Sequence, residues 1–445
     1  MRTESSNLLT DRRGWCILGT MGSVQSASAA DRANPDPEAF SRAVVLIGSR
    51  LAGSAPAAVW LTAAGWAEAA RRRFGSVVMV TPSGPIDPST ARQAATTPRP
   101  ATGGTLRKRR LRVARDLAKD VRDLVRAAGF MIEAIRTVPT AEGTAFIWQH
   151  HEPWQWAGWL LARRCRAPWV LFVDAPVVWE SRAWGVHRPG WGRFLERWGE
   201  VPQLRSADVV ACVSETVATE VRRLGAPDAR VIVTPCSADP SIFTVARETV
   251  SATRVELGLE DRIVVGWLGS FRRFHGIEIL LDAYRAARRE HPELALLLVG
   301  DGPERAAVEA TVRAENILDV TFTGMVTHTD VPRYLTAVDI AVVIDPGATT
   351  WHYSPLKLRE YMACGLAVVA PDSGQVGAVI RHGEQGLLVP PASSEALAGA
   401  LAALARDSAL RTRLGAAARR RSEADGGWLA QLEAALNVAE AVRRA

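Results

Sequence analysis

No stretch of the chain approaches the roughly 18–20 consecutive apolar residues that a bilayer-spanning helix needs. Cysteine is scarce, and Cys16, Cys165, Cys212, Cys236 and Cys364 form no C-x-x-C pair and no metal-type cluster. That excludes a disulfide framework and a zinc module, and favours a reducing cytoplasm. Lysine is rare in an arginine-dominated chain, so Lys357 stands out. Gly266 and Gly269 do not complete a G-x-G-x-x-G fingerprint, which argues against a dinucleotide cofactor. The densest basic run, "LRKRRLRVARDLAKDVRDLVRAAG", lacks interleaved aromatics and reads as an amphipathic helix, so no nucleic-acid partner is expected. The formal charge of +7 suits an anionic ligand or an anionic membrane surface without choosing between them. Near the N-terminus "DRRGWCILGTMGSVQSASAAD" has the outline of a leader peptide, but its apolar part is short and broken by Gly14, Gly19 and Gly22. Residues 1–40 are therefore expected to be a disordered extension.

A chain of 445 residues with 48% hydrophobic content can build two cores. Strand-like runs at 42–49, 76–84, 144–149, 168–174, 207–214 and 229–235 are separated by helical stretches, and 85–105 reads as a long loop. The pattern restarts at 261–270, 293–302, 319–324, 339–345, 366–374 and 386–391. Alternation of this kind predicts two doubly wound α/β domains with mostly parallel sheets. The divisions expected are 41–240, a linker over 241–260, 261–414, and helices over 415–445. Ligands of such sheets bind beyond the carboxyl ends of the strands.

Two turns in the second half carry chemistry. In "VVGWLGSFRRFHGIEILLDAY" a glycine loop leads into a helix, with Arg272 and Arg273 nearby to attract phosphate; an ordinary turn with solvated arginines is the plain alternative. In "TTWHYSPLKLREYMACG", Ser354 suits an N-cap, Pro355 the first helical position and Gly365 the C-terminal stop. Lys357 and Glu360 then share a polar stripe. They are either a surface ion pair or a point charge for a diphosphate with a carboxylate one turn further for ribose hydroxyls.

Five segments in order, "SADVVACVSETVATEVRRLGAPDARVIVTPCSADPSIF", "GWLGSFRRFHGIEILLDAY", "LLLVGDGPER", "VTFTGMVTHTDVPRYLTAVDIAVV" and "SPLKLREYMACGLAVVAPDSGQVGAVIRHGEQGLLVPP", resemble the family-four retaining glycosyltransferases of the GT-B fold. The likeness runs from about Thr144 to Arg420. It implies two Rossmann-like domains with an interdomain cleft, an acceptor-binding N-terminal domain, a donor-binding C-terminal domain and a C-terminal helix crossing back. It further implies transfer from a nucleotide-diphosphate sugar to a glycan, lipid-linked or small-molecule acceptor, with no cofactor and no obligatory metal; no Asp-x-Asp motif is present.

By this resemblance Glu360 stands where the second glutamate of the E-x7-E motif binds ribose. Gly324 and Met325 stand where backbone meets the base, and Tyr353, Ser354, Pro355 and Leu356 where amides meet phosphates and sugar. Gly269, Ser270, Arg273, His275 and Gly276 line the donor side. Lys357, His352 and Arg272 are the expected catalytic groups. The family's first glutamate is His352, its Arg and Lys pair falls on Ser270 and His275, and its linker Asn-Gly is Cys236-Ser237. Acceptor-side residues are His150, His151, Asp174 and Glu180, among tryptophans that also suit core packing. The expected location is cytoplasmic, with the basic helix around 106–126 resting on anionic lipid or simply solvated. Two rival functions are a nucleotide-sugar epimerase and a non-catalytic nucleotide-sugar-binding partner of another transferase.

Overall fold

A computed structural model describes residues 42–48, 57–88, 90, 109–138, 143–183, 186, 188–347 and 354–444. The expectations for residues 1–40, and for His352 and Tyr353, fall outside them.

Valine- and leucine-rich runs buried on both faces make the first sheet, as parallel strands covered by helices require. Its strands are β1 (Arg42–Leu46), β2 (Ser76–Thr81), β3 (Gly84–Ile86), β4 (Thr144–His150), β5 (Trp169–Val173), β6 (Val209–Cys212) and β7 (Val231–Val233). They lie in the order β3-β2-β1-β4-β5-β6-β7. All pairs are parallel except β2 with β3. The short strand β3 corrects the expectation of a structureless loop from residue 85: a tight turn at Thr81–Gly84 folds the chain back onto β2. There the Thr81 hydroxyl donates to the Gly84 carbonyl at 2.9 Å.

The second sheet is parallel throughout. It comprises β8 (Ile263–Leu268), β9 (Leu294–Val299), β10 (Val320–Gly324), β11 (Ile340–Val342), β12 (Ala367–Pro371) and β13 (Gly386–Val389), in the order β10-β9-β8-β11-β12-β13. Two clusters of buried side chains cover its two faces, and a third fills the first half. In each sheet the winding reverses beside its first strand, between β1 and β4 and between β8 and β11. Those are the switch points at which α/β sheets open a crevice.

The chain's last helix, Gly427–Arg444, returns to the first half, where Trp428, Leu432, Ala435 and Ala439 join the core around β1 to β6. A Cβ on Gly65 would stand 2.4 Å from the Trp428 indole, so the helix Ala57–Phe74 keeps a glycine as the seat for that ring. Burying the two large side chains, Trp428 and Leu432, contributes about 1.5–3 kcal/mol each or more, which helps to hold the crossing. The basic helix extends beyond its expected span, over Arg109–Thr137.

Candidate functional site

Parallel strands point all their carboxyl ends to one edge, and the second sheet's switch point lies where β8 runs into Gly269 and Ser270. Three glycines shape this corner. A Cβ at Gly302 would lie 1.7 Å from the Ser270 carbonyl oxygen, and one at Gly300 2.1 Å from that of Gly269. A Cβ at Gly269 would lie 2.3 Å from the Trp267 ring. The "VGDG" turn and the "LGS" turn therefore touch backbone to backbone, and the indole fills the space beneath. The GDG segment is thus more than a turn: it fixes the height of the loop above the site.

Trp267 is fully buried and forms the floor. The Lys357 Nζ lies 4.5 Å from its ring centroid, while Phe271 and His275 meet it edge-on at 5.0 and 5.6 Å. His275 Nε2 is 3.2 Å from Ser270 Oγ. Burial, then the nearby Lys357 and Arg272 charges, push the His275 imidazole down to about 2, so it is neutral at any ordinary pH. Burial lowers the Lys357 amine to about 7, against a partly offsetting pull from Glu360. A half-buried amine on an aromatic face, with its proton held loosely by burial, has the chemistry to pair with an anion. Arg272 and Arg273 stand exposed at the rim.

The helix that supplies Lys357 spans Leu356–Cys364 and closes at Gly365, whose φ of 72° is the left-handed stop expected. Its start differs from expectation by one residue. Pro355, not Ser354, is the N-cap, and it has no N–H to offer. The Ser354 hydroxyl is drawn off to accept the Cys236 amide at 3.1 Å, joining the linker to the helix start. Leu356 packs against the first half's core; the Leu358 amide already donates to the Pro355 carbonyl at 3.0 Å, so the first-turn amides that helix geometry leaves without an intrahelical partner are those of Leu356 and Lys357.

Glu360 was expected to sit open to a nucleoside. Instead it is 3% exposed, with Oε1 2.8 Å from His328 Nε2. A ribose would have to share or replace that imidazole. Tyr361, on the helix's inner face, accepts the Leu268 amide at 2.8 Å and locks the helix to the end of β8. Gly324 (φ 77°) ends β10, and its carbonyl accepts the Gly300 amide at 3.1 Å, while Met325 is 43% exposed beside it. Gly276 (φ 59°) starts the helix Ile277–Glu290. The structure thus gathers Gly269, Ser270, His275 and Lys357, sets Gly324 and Met325 two strands away, and seats Glu360 one turn deeper. Trp267 and His328 were missed from the sequence, although His328 lies within the quoted "GMVTHTD".

In the first half, His150 ends β4 and Asp174 follows β5, and their side chains meet at 2.8 Å (Nε2 to Oδ2). The carboxylate of Glu152, only 2% exposed, fills the space where a Cβ on Gly48 would sit, at the β1–β4 switch point. Glu200, fully buried at the end of a π-helical turn Leu195–Glu200, accepts the Val177 and Val178 amides at 2.6 and 3.1 Å. It thereby fixes the helix that carries Glu180. His151 is buried behind this rim. Among the described tryptophans Trp148 and Trp169 are core, while Trp198 is exposed. No three His, Cys, Asp or Glu side chains among the described residues gather so as to hold a metal ion.

Two sheets, each with a switch point, carry a cationic corner on one and a His–Asp pair on the other, the layout of a two-domain α/β protein that takes ligands at its strand ends. Two family profiles match in chain order, the glycosyl transferase 4-like domain over residues 57–237 and the glycosyl transferases group 1 over 262–407. The chain belongs to the group 1 glycosyltransferases of the GT-B fold.

Among curated relatives, an alpha-D-kanosaminyltransferase from Streptomyces kanamyceticus is 26% identical over 223 residues, 49% of this chain and 57% of that protein. The match thus spans little more than half of that relative. A glycogen synthase from Mycobacterium tuberculosis is 27% identical over 295 residues, 64% of this chain and 68% of its own. Among solved structures, Anabaena HepE in complex with UDP and glucose has a TM-score of 0.64 at 19% identity, covering 91% of this chain and 100% of that one. At that identity the likeness is one of fold.

Proposed function

We propose that the protein transfers a sugar, with retention of configuration, from a nucleotide-diphosphate sugar to a hydroxyl of a glycan, lipid-linked or small-molecule acceptor. The observation that carries this reading is the corner built from Gly269, Ser270, Trp267 and Lys357 beside the first-turn amides of the Leu356–Cys364 helix. A departing diphosphate needs preorganised positive charge and N–H groups more than it needs a protein nucleophile. Lys357 takes up a proton to meet the anion, Arg272 and Arg273 add charge from the rim, and neutral His275 with Ser270 donates or accepts hydrogen bonds without charge. Glu360 holds the ribose hydroxyls, which share or displace its His328 partner.

The bond from the sugar's anomeric carbon to the diphosphate oxygen breaks on the same face on which the acceptor oxygen bonds. The acceptor's proton passes to the leaving phosphate oxygen. His150 and Asp174, across from the donor side, orient the acceptor hydroxyl. UDP is the nucleotide favoured, because HepE was solved with it. No metal is assigned a role, and transfer is expected to survive chelation.

A second reading keeps the donor site and drops the chemistry: a nucleotide-sugar-binding partner of another transferase. It is favoured by Ser270 and His352, which replace an arginine and a glutamate of the family pattern. Purified protein incubated with a panel of nucleotide sugars and acceptors separates these readings. Transfer or slow donor hydrolysis supports the enzyme, binding without turnover supports the partner, and donor interconversion would make it an epimerase.

A further inference from the structure

The helix Arg109–Thr137 sorts its side chains into three lengthwise sectors. At 100° per residue, Asp116, Asp120, Asp123, Ala127, Phe130 and Ala134 share one sector, and they are the residues turned towards the body. Asp120 is the main tie: it accepts from Arg188 at 2.7 Å and from the Trp191 indole at 2.9 Å. A second sector of roughly 100° carries Leu117, Val121, Leu124, Val125 and Ile132, exposed by 44, 54, 45, 67 and 50%. The third, beside it, carries Arg115, Lys119, Arg122, Arg126 and Arg136, all exposed. Every Asp and Glu from 113 to 137 is buried or half-buried. An ordinary solvated helix face mixes charges of both signs and does not leave five large apolar side chains in water.

We propose that this face docks the protein on an anionic phospholipid bilayer. The apolar sector enters the headgroup–acyl boundary, and the cationic sector lies along the lipid phosphates. The segment that the helix ties down carries exposed aromatics of its own. Asp120 joins the helix to the 188–191 segment, which leads into Phe194 and Trp198, exposed by 58 and 53%. Aromatic side chains of this kind favour the membrane interface. Trp198 borders a groove of about 930 Å³ lined by Arg182, Arg193, Arg197, Arg205 and Arg223 with Glu196 as its one acid. Arg182 and Arg223 pair with Glu196, whereas Arg193, Arg197 and Arg205 have no carboxylate partner among the described residues.

A second copy of the chain is a poor occupant, because matching apolar sectors would bring two rows of five cations together. The apolar stripe stands on a single helix, and neither of the two grooves among the described residues is lined by it. The segment leading into the helix, 91–108, contains no acidic residue and adds to the positive charge.

The test is co-sedimentation of the purified full chain with vesicles of phosphatidylcholine alone and with about a quarter phosphatidylglycerol. Binding is expected only to the anionic vesicles and is lost as salt rises to about 0.5 M. The double variant Arg122→Gln/Arg126→Gln should bind roughly 25-fold more weakly, about fivefold per charge removed. The variant Leu124→Ser/Val125→Ser should also lose binding at low salt while its far-ultraviolet spectrum and melting temperature stay those of the parent, since both side chains are exposed. Equal binding to neutral vesicles, no binding to either, or unchanged binding by both variants would overturn the proposal. So would a concentration-dependent dimer in sedimentation velocity that Leu124→Ser/Val125→Ser abolishes. Turnover plays no part in these readouts, so they stand apart from the fate of the transferase reading.

Discussion

Replacing Lys357 by methionine should make the protein more stable and less active at once. The amine is half-buried on the Trp267 face, and burial brings it from 10.5 to about 7. Its folded pKa lies below its unfolded one. The cost of the buried charge is therefore fully present below pH 7 and fades as pH rises from about 7 to about 10.5, where the unfolded chain also sheds its proton. At ~1.4 kcal/mol per pH unit that shift sets a ceiling of about 5 kcal/mol. The indole face returns ~1 kcal/mol of cation–π attraction and the site is only half-buried. A net stabilisation of roughly 1–3 kcal/mol at pH 6 follows.

Methionine keeps the aliphatic stem and drops the amine. Urea unfolding of parent and Lys357→Met at pH 6 and pH 9.5 measures the effect: the variant's advantage should be largest at pH 6 and shrink at the higher pH. Transfer should meanwhile fall by about 10²–10³, the usual cost of removing one preorganised donor to a developing charge. A variant no more stable at pH 6, or one with unimpaired transfer, would refute the reasoning. The first result would mean that the amine is well solvated, the second that it faces no leaving group.

The same amine predicts proton uptake. Titration calorimetry of UDP binding at pH 8, run in buffers of different ionisation enthalpy, should report uptake approaching one proton, and Lys357→Met should abolish it. Gly302→Ala forces a Cβ to within 1.7 Å of the Ser270 carbonyl. It should cost several kcal/mol in chemical denaturation and weaken donor binding, because backbone rather than a pliable side chain must move. Asp174→Asn removes the carboxylate that meets His150 at 2.8 Å. Steady-state kinetics should show a lower kcat with donor affinity within about twofold of the parent, if that pair serves the acceptor as proposed.

Much of the architecture was legible because buried parallel strands read as plain apolar runs: "IVVGWL", "LALLLV" and "WVLFV" could be little else. The helix start was misplaced by a residue for a tertiary reason. Ser354 has the right chemistry for an N-cap, but Cys236, 118 residues away in the chain, takes its hydroxyl. Trp267 was hidden by the same pattern that revealed β8, since a tryptophan in a strand reads as core. Only the glycine two positions later hinted that the ring needed room. His328 lay in view without a partner, because its contact with Glu360 joins residues 32 apart. His150 and Asp174 were each expected on the acceptor side, but their pairing showed only once β4 and β5 lay side by side. The three sectors of the Arg109–Thr137 helix were only half visible. Charge and periodicity showed amphipathicity, but which face turns inward depended on Arg188 and Trp191 claiming Asp120.

The proposed transfer requires a nucleoside diphosphate at the end of β8 against the Leu356–Cys364 helix. A crystal structure with UDP bound tests it most directly. Phosphate oxygens are expected at about 3 Å from the Leu356 and Lys357 amides and from Nζ, with the ribose hydroxyls on Glu360 in place of His328. Nucleotide bound instead in the arginine-lined groove of the first half, with the Glu360–His328 contact intact and Lys357 still resting on Trp267, would contradict it.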